Sequence, residues 1–225
     1  YLMQLGGTVD TWILSHPHSD HVGALMEIIK SKRVKIERIL HVHLEKAWVM
    51  ANEPTAYDLV SEYNALIQTT EAIKIAVEKG DVFGLGAGVE MHVLGGLNET
   101  ITTNAVNNSS LVFSVRSSSK SVLFLGDLGS AGGDILLENG NLEDIKVDYV
   151  QMAHHGQAGV NKEFYNATQA DFALWPTPKW LWENRADGKG YNSGNFKTFA
   201  VRQWMEELAI EKNFVSGLDG TVQID

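Results

Sequence analysis

Cysteine is absent from all 225 residues. That excludes a disulfide scaffold, a thiolate metal site and a cysteine nucleophile together. It leaves the compartment open, since disulfide-free proteins occur on both sides of a membrane. No apolar run approaches the roughly 18–20 residues a helix needs to cross a bilayer. Basic side chains are the minority: 18 Lys and Arg against 28 Asp and Glu leave a formal net charge of −10. Broad adhesion to nucleic acid leans on Lys/Arg-rich faces, so it is disfavoured. A phosphodiester substrate is not excluded, because bound metal ions supply positive charge locally. A secretion signal and an initiating Met are also missing. A chain that starts Tyr1-Leu2-Met3 is expected to be a fragment or a processed product. There is no internal repeat and no low-complexity tract.

What is present is ordinary for a globular enzyme: 44% hydrophobic and 20% charged residues. The length suits one large domain, 1–225, with a real core. It is expected to be soluble, and the sequence leaves cytoplasmic and extracellular bacterial locations equally open.

The informative stretch is Ile13-Leu14-Ser15-His16-Pro17-His18-Ser19-Asp20-His21-Val22-Gly23. Four metal-capable side chains fall within six residues, just after the apolar run Val9, Trp12, Ile13 and Leu14. Pro17 forbids a helix until about Ser19, so the segment is a loop leaving a strand, followed by a helix through 24–30. Such a loop can turn His16 and His18 toward one point, and Asp20 and His21 toward another. Imidazoles with a carboxylate suit a divalent Zn-like or Fe/Mn-like ion.

Further along, Val34–Leu44 alternates as a strand. Its His41 and His43 share a face, and a structural role at the strand end is expected for them. Helical spacing of Tyr57, Val60, Tyr63, Ile67, Ile73 and Val77 predicts one long helix over 55–79, and 81–84 opens a turn. Strands are expected at 89–94, 110–116, 121–125, 147–152 and 172–175, the first carrying a structural His92. Residues 95–108 read as a polar loop. Helices are expected near 134–139, 162–168 and 196–209, and two closing strands at 212–216 and 220–224. Residues 176–195 form an aromatic insertion. Its Trp180 and Trp182 lie near Lys179, Arg185 and Lys189, and aromatic faces of this kind can bind sugars, bases or quaternary ammonium groups. Three strand ends then carry ligand-type residues: the first loop, Asp127 and His154-His155. Rigid strand ends hold such groups in geometry.

The run His16-x-His18-x-Asp20-His21 resembles the HxHxDH signature of the metallo-β-lactamase superfamily. Asn107-Asn108-Ser109-Ser110, Leu125-Gly126-Asp127, Ala153-His154-His155-Gly156 and Asp219-Gly220 resemble its ComEC/Rec2 group, whose members accompany DNA-uptake channels. Phosphorylcholine esterases carry similar motifs. The resemblance spans about residues 8–225 and implies an α/β (α+β) fold, the four-layer αββα sandwich. It further implies one or two Zn2+ ions, with Mn2+ or Fe2+ as alternatives, held by His16, His18, Asp20, His21, a bridging Asp127 and His154. A metal-bound hydroxide would attack a phosphodiester or ester-type bond. Asp20 would serve as ligand or base, and His155 would bind substrate or donate a proton. By strand geometry His154 is the ligand, and exchange with His155 remains open. Asn108, Trp180 and Trp182 are candidate substrate contacts. A non-catalytic metal-binding accessory module and a nuclease-type domain are the competing functions.

The sequence departs from the family in several places. The third histidine of the first metal position is absent, and its loop holds Asn107, Asn108 and Ser109. Gln157 follows His154-His155-Gly156, and Ser193-Gly194-Asn195 stands where the group has Gly-His-Pro. Only about a dozen residues precede the signature, where the family has several strands. The sandwich is therefore expected to lack its first strands, with a partner chain or a missing N-terminal segment covering the sheet.

Overall fold

The structure is a computed structural model describing residues 2–224. Among them, ten strands form two sheets. β1 (Thr8–Leu14), β2 (Lys35–His41) and β3 (Ile73–Ala76) run parallel in the order β1-β2-β3, so β1 and β3 are edges. Between them run α1 (Ser19–Ser31), α2 (Lys46–Asn52) and α3 (Tyr57–Ile67). The second sheet has seven strands. β4 (Val82–Gly86), β5 (Val89–Gly95), β6 (Val112–Arg116) and β7 (Ser121–Phe124) are antiparallel. β8 (Tyr149–Gln151), β9 (Phe172–Trp175) and β10 (Lys212–Val215) extend β7 in parallel. The remaining helices are α4 (Ala105–Asn108), α5 (Ser130–Asn139), α6 (Leu142–Ile145), α7 (Lys162–Thr168), α8 (Lys179–Trp182), α9 (Thr198–Glu207) and α10 (Ser216–Asp219).

Strand alternation builds the layers, since neighbouring side chains point to opposite faces. In β2, Ile39 packs with α1 and α3 through Leu25, Ile29, Tyr63 and Ile67. The next residue, Leu40, faces the other sheet and meets Met91, Val93 and Phe113. In β7, Leu123 turns outward to Phe164 of α7 and Val201 of α9, while Phe124 turns inward. Helices, sheet, sheet, helices: this is the expected αββα sandwich.

Several local expectations are corrected. The long helix over 55–79 ends at Ile67, and Ile73–Ala76 is β3. Helical spacing continued by coincidence, whereas Ile73-Lys74-Ile75-Ala76 carries β-branched residues and completes the parallel sheet beside β2. The turn expected at 81–84 is β4, which doubles back on β5 through Ala87 and Gly88, both with positive φ (51° and 75°). The polar loop 95–108 ends in α4. No strand forms at 220–224: the chain folds into α10, where the Asp219 carboxylate accepts the Val215 N–H at 2.7 Å.

Candidate metal centre

The C-terminal ends of β1, β7 and β8 meet, and hydrogen bonds stitch the segments that leave them. The Leu111 N–H donates to the Ser15 carbonyl at 2.7 Å, anchoring the histidine loop to the start of β6. Gln151 at the end of β8 accepts from Leu125 N and Gly126 N, each at 2.9 Å. The His154 N–H returns to the Gly126 carbonyl at 3.0 Å. Gly126 adopts φ +55°, and a Cβ there would lie 2.9 Å from both Ser110 Oγ and the Ser15 side chain. Only glycine fits that crossing.

Asp127, nearly fully buried, is the hub. Its Oδ1 lies 3.2 Å from His21 Nε2, and its Oδ2 lies 3.5 Å from His155 Nε2 and 3.9 Å from both His16 Nε2 and His154 Nε2. Asp20, His21, Asp127 and His155 offer ligand atoms all within 4.8 Å of one another, a group able to hold a metal ion. Beside them His16 Nε2 and His18 Nδ1 stand 3.2 Å apart. Two nitrogens at about 2.0–2.1 Å from one tetrahedral ion lie roughly 3.3 Å from each other, so this pair fits a single ion.

The outward nitrogens of these rings are occupied. His16 Nδ1 meets Ser15 Oγ at 3.1 Å and Ser110 Oγ at 3.3 Å, and His21 Nδ1 meets Ser15 Oγ at 3.2 Å. His18 Nε2 meets Glu53 Oε1 at 2.8 Å, and His155 Nδ1 meets the Pro176 carbonyl at 3.0 Å. A carboxylate partner demands N–H on that side, which leaves the inward Nδ1 of His18 as a lone pair, whereas the inward His155 Nε2 faces the Asp20 carboxylate at 3.0 Å. The inward His21 Nε2 is buried against Asp127 Oδ1 at 3.2 Å. The residues therefore fit a divalent ion, with nitrogen and oxygen donors throughout.

Electrostatics agree. Burial alone would raise the Asp127 carboxyl. The His21 contact and the charges of His16, His21 and His155 overcome it and hold the group at about 2. Burial, and then the neighbouring His21, keep His16 well below the ordinary imidazole value. Burial also opposes charge on His18, but the Glu53 hydrogen bond reverses this and raises it. Burial lowers His154.

His154 and His155, between which the sequence leaves the ligand role open, are turned to different surroundings. His154 Nε2 sits 3.1 Å from Gln157 Nε2 and its Nδ1 is buried without a partner, whereas His155 joins the ligand group. Strand alternation does not extend to the two histidines, because β8 stops at Gln151. His154 and His155 both take left-handed backbone (φ 50° and 56°), so the chain turns instead of alternating.

Asn108 is buried in α4. Its oxygen accepts from Gly132 N and its amide donates to the carbonyls of Thr103 and Asn104. Trp182 packs edge-on against Trp175 at 5.1 Å under the Arg202 guanidinium. Trp180, 51% exposed, lines a cavity of about 750 Å³ with Arg185, Lys189 and Phe196, and no cluster residue contributes to its walls. His43 and His92 pair with Glu45 and Glu90, and His41 is buried against Tyr63, all outside the cluster. Sequence reasoning missed Glu53, Ser15 and Ser110. Glu53 precedes Pro54 with no motif around it, whereas Ser15 and Ser110 lie within the 13–23 and 107–110 runs.

A sandwich of one parallel and one mixed sheet, with an Asp-centred histidine cluster at strand ends, is the architecture of a metal-dependent hydrolase superfamily. A metallo-beta-lactamase superfamily model matches residues 4–175, and the chain belongs to that superfamily. ComE operon protein 3 of Bacillus subtilis (strain 168) is 27% identical over 170 residues, covering 74% of this chain and 20% of that protein. The chain thus spans about one-fifth of the length of that relative. Among solved structures, the metallo-beta-lactamase fold protein YhfI from Bacillus subtilis superposes with TM-score 0.52 at 12% identity, over 92% of this chain and 74% of that one. Isothiocyanate hydrolase from Delia radicum gut bacteria gives 0.51 at 13% identity, over 97% and 79%. These two likenesses establish the fold. Among the described residues no helix is long and apolar enough to cross a membrane.

Proposed function

We propose that this domain is a binuclear metallohydrolase acting on a phosphodiester or ester-type bond. The carrying observation is the gathering of two donor sets around one carboxylate: His16 and His18 on one side, Asp20, His21 and His155 on the other, with Asp127 between them. Divalent ions bound there would supply a nucleophile at neutral pH and stabilise negative charge on the reacting group. Zn2+ suits the donors, and Mn2+ or Fe2+ are alternatives.

The chain's own groups would divide the remaining work. Asp20 is the exposed member of the cluster, with a side chain 60% accessible, and its Oδ2 lies 3.0 Å from His155 Nε2. In this reading Asp20, as ligand or base, orients the attacking water and takes its proton. His155, steadied by Pro176, acts as a ligand in this reading. His154 stays outside the ligand set. Phosphodiesters are favoured by the resemblance to the ComEC/Rec2 group, to which the likeness to ComE operon protein 3 lends support. Single-stranded DNA is the polymeric form of such a substrate, against which the net charge of −10 weighs.

Hydrolysis of bis-p-nitrophenyl phosphate by the Zn2+- or Mn2+-loaded protein tests this. Turnover is expected, with a loss of roughly 10²-fold or more in Asp20→Ala. Protein that loads metal yet turns over neither phosphodiesters nor esters is instead the non-catalytic module. Salt-dependent binding of single-stranded DNA tests the nuclease-type variant, and no binding near physiological salt removes it.

A further inference from the structure

The short helix α4 carries an unexplained polar group. Asn107 is 4% exposed, and its Oδ1 is buried without any hydrogen-bond partner. A buried carboxamide oxygen left this way forfeits its hydration with nothing in return. The residues beside it are not in that position. Asn108 Oδ1 accepts from Gly132 N, Ser109 Oγ accepts from Asn98 N, and Ser110 Oγ accepts from Asp127 N. Poor packing of the turn therefore does not account for the orphan.

Its location does. The Asn107 side chain lies within contact reach of the His18 ring. One carboxylate ties the two together: Glu53 Oε1 takes His18 Nε2–H at 2.8 Å, and Glu53 Oε2 takes the Val106 N–H at 2.9 Å, one residue before Asn107. Glu53 thus sets the ring and the turn carrying the amide in a common frame. The free His18 Nδ1 already faces His16 Nε2.

We propose that Asn107 Oδ1 is a protein ligand of the ion faced by His16 Nε2 and His18 Nδ1, completing a position of two imidazoles, one carboxamide and the Asp127 carboxylate. The proposal rests on the metal-centre reading above. Its chemical consequence is selectivity. A neutral carboxamide oxygen is a harder donor than an imidazole, so this position holds Zn2+ less tightly than three imidazoles would and is relatively better suited to Mn2+.

Competition titration of the whole protein against a chromophoric chelator, with Zn2+ alone and Mn2+ alone, tests it without any turnover. Asn107→Ala is expected to weaken one binding step at least about tenfold for both ions. Asn107→Asp retains binding, and Asn107→His tightens Zn2+ at least about tenfold while leaving Mn2+ unimproved. The visible spectrum of the Co2+ form should shift in Asn107→His, where nitrogen replaces oxygen. A merely structural Asn107 gives a different pattern: Asn107→Ala lowers the melting temperature of the metal-free protein and leaves every affinity unchanged, which overturns the proposal. If Asn107→Ala does not fold, Asn107→His decides alone, and unchanged Zn2+ affinity with an unchanged Co2+ spectrum defeats the idea. Wild-type protein that binds neither ion would sink the metal-centre reading itself, an outcome distinct from these.

Discussion

Glu53 Oε1 stands 2.8 Å from His18 Nε2, across 35 positions of sequence. The contact determines the tautomer of His18: a carboxylate can only accept, so Nε2 carries the proton and Nδ1 keeps its lone pair for the centre. Burial would raise the Glu53 carboxyl, but the His18 hydrogen bond and the backbone N–H of Val106 hold it below the usual value. Glu53→Ala is expected to weaken divalent-metal binding by about 10–100-fold while the protein still folds. In metal-free protein, long-range nitrogen–proton NMR should show His18 moving from a single Nε2–H tautomer to a mixture. An unchanged tautomer would refute the role.

The turn that delivers His155 depends on Gly156. It adopts φ +76°, and a Cβ there would sit 2.2 Å from the Trp175 ring. Gly156→Ala combines a left-handed backbone penalty with overpacking against a fully buried tryptophan, together about 2–4 kcal/mol. Chemical denaturation should read that loss, and metal titration should show a weakened centre because the turn is displaced. Stability within 0.5 kcal/mol of wild type, an approximate margin for neutral changes, would contradict the packing.

Acid sensitivity should have a source outside the metal centre. Burial first, and then its neighbour His43, lower His41 to about 4, and its Nδ1 is buried without a partner. A histidine whose folded value is depressed contributes full stability above its unfolded value, about 6.5. That stability falls as pH drops from there toward 4, because the unfolded chain takes up the proton first. The cost is about 2 kcal/mol at pH 5. His41→Phe, which keeps a ring against Tyr63, should flatten the stability profile between pH 7 and 5 by that amount. Parallel profiles for the two proteins would show that His41 does not carry it.

The two tryptophans of the insertion should behave differently. Trp182 packs on Trp175 and under Arg202, so Trp182→Ala is expected to cost about 2–4 kcal/mol. Trp180 is half-exposed in its own cavity. Trp180→Ala should change stability by less than about 1 kcal/mol. Thermal melts of both variants check the contrast, and equal losses would mean that Trp180 is also a core anchor.

Much of the centre was legible because its residues crowd together locally. Pro17 set the start of α1 at Ser19, where the helix begins. Leu125-Gly126-Asp127 declared a strand end because apolar alternation stops at a glycine. The strand β9 and the helix α7 came out with the expected bounds, since each is short and bracketed by polar residues. Periodicity misled where two periods overlap: Ile73 and Val77 continue the stripe of α3, yet Ile73–Ala76 is drawn into the sheet by the unpaired edge of β2.

The sequence by itself determined the donor types, their order and their attachment to strand ends, because these follow from local spacing and from where a backbone can turn. Tertiary structure decided which donor faces inward. His155 Nε2 reaches 3.0 Å from Asp20 and 3.5 Å from Asp127, and His154 Nε2 turns to Gln157, because two left-handed residues rotate the chain after β8. Glu53 becomes the partner of His18 because α2 ends beside the histidine loop and near α4. Such choices depend on hydrogen-bond partners dozens of residues away, which no local pattern encodes.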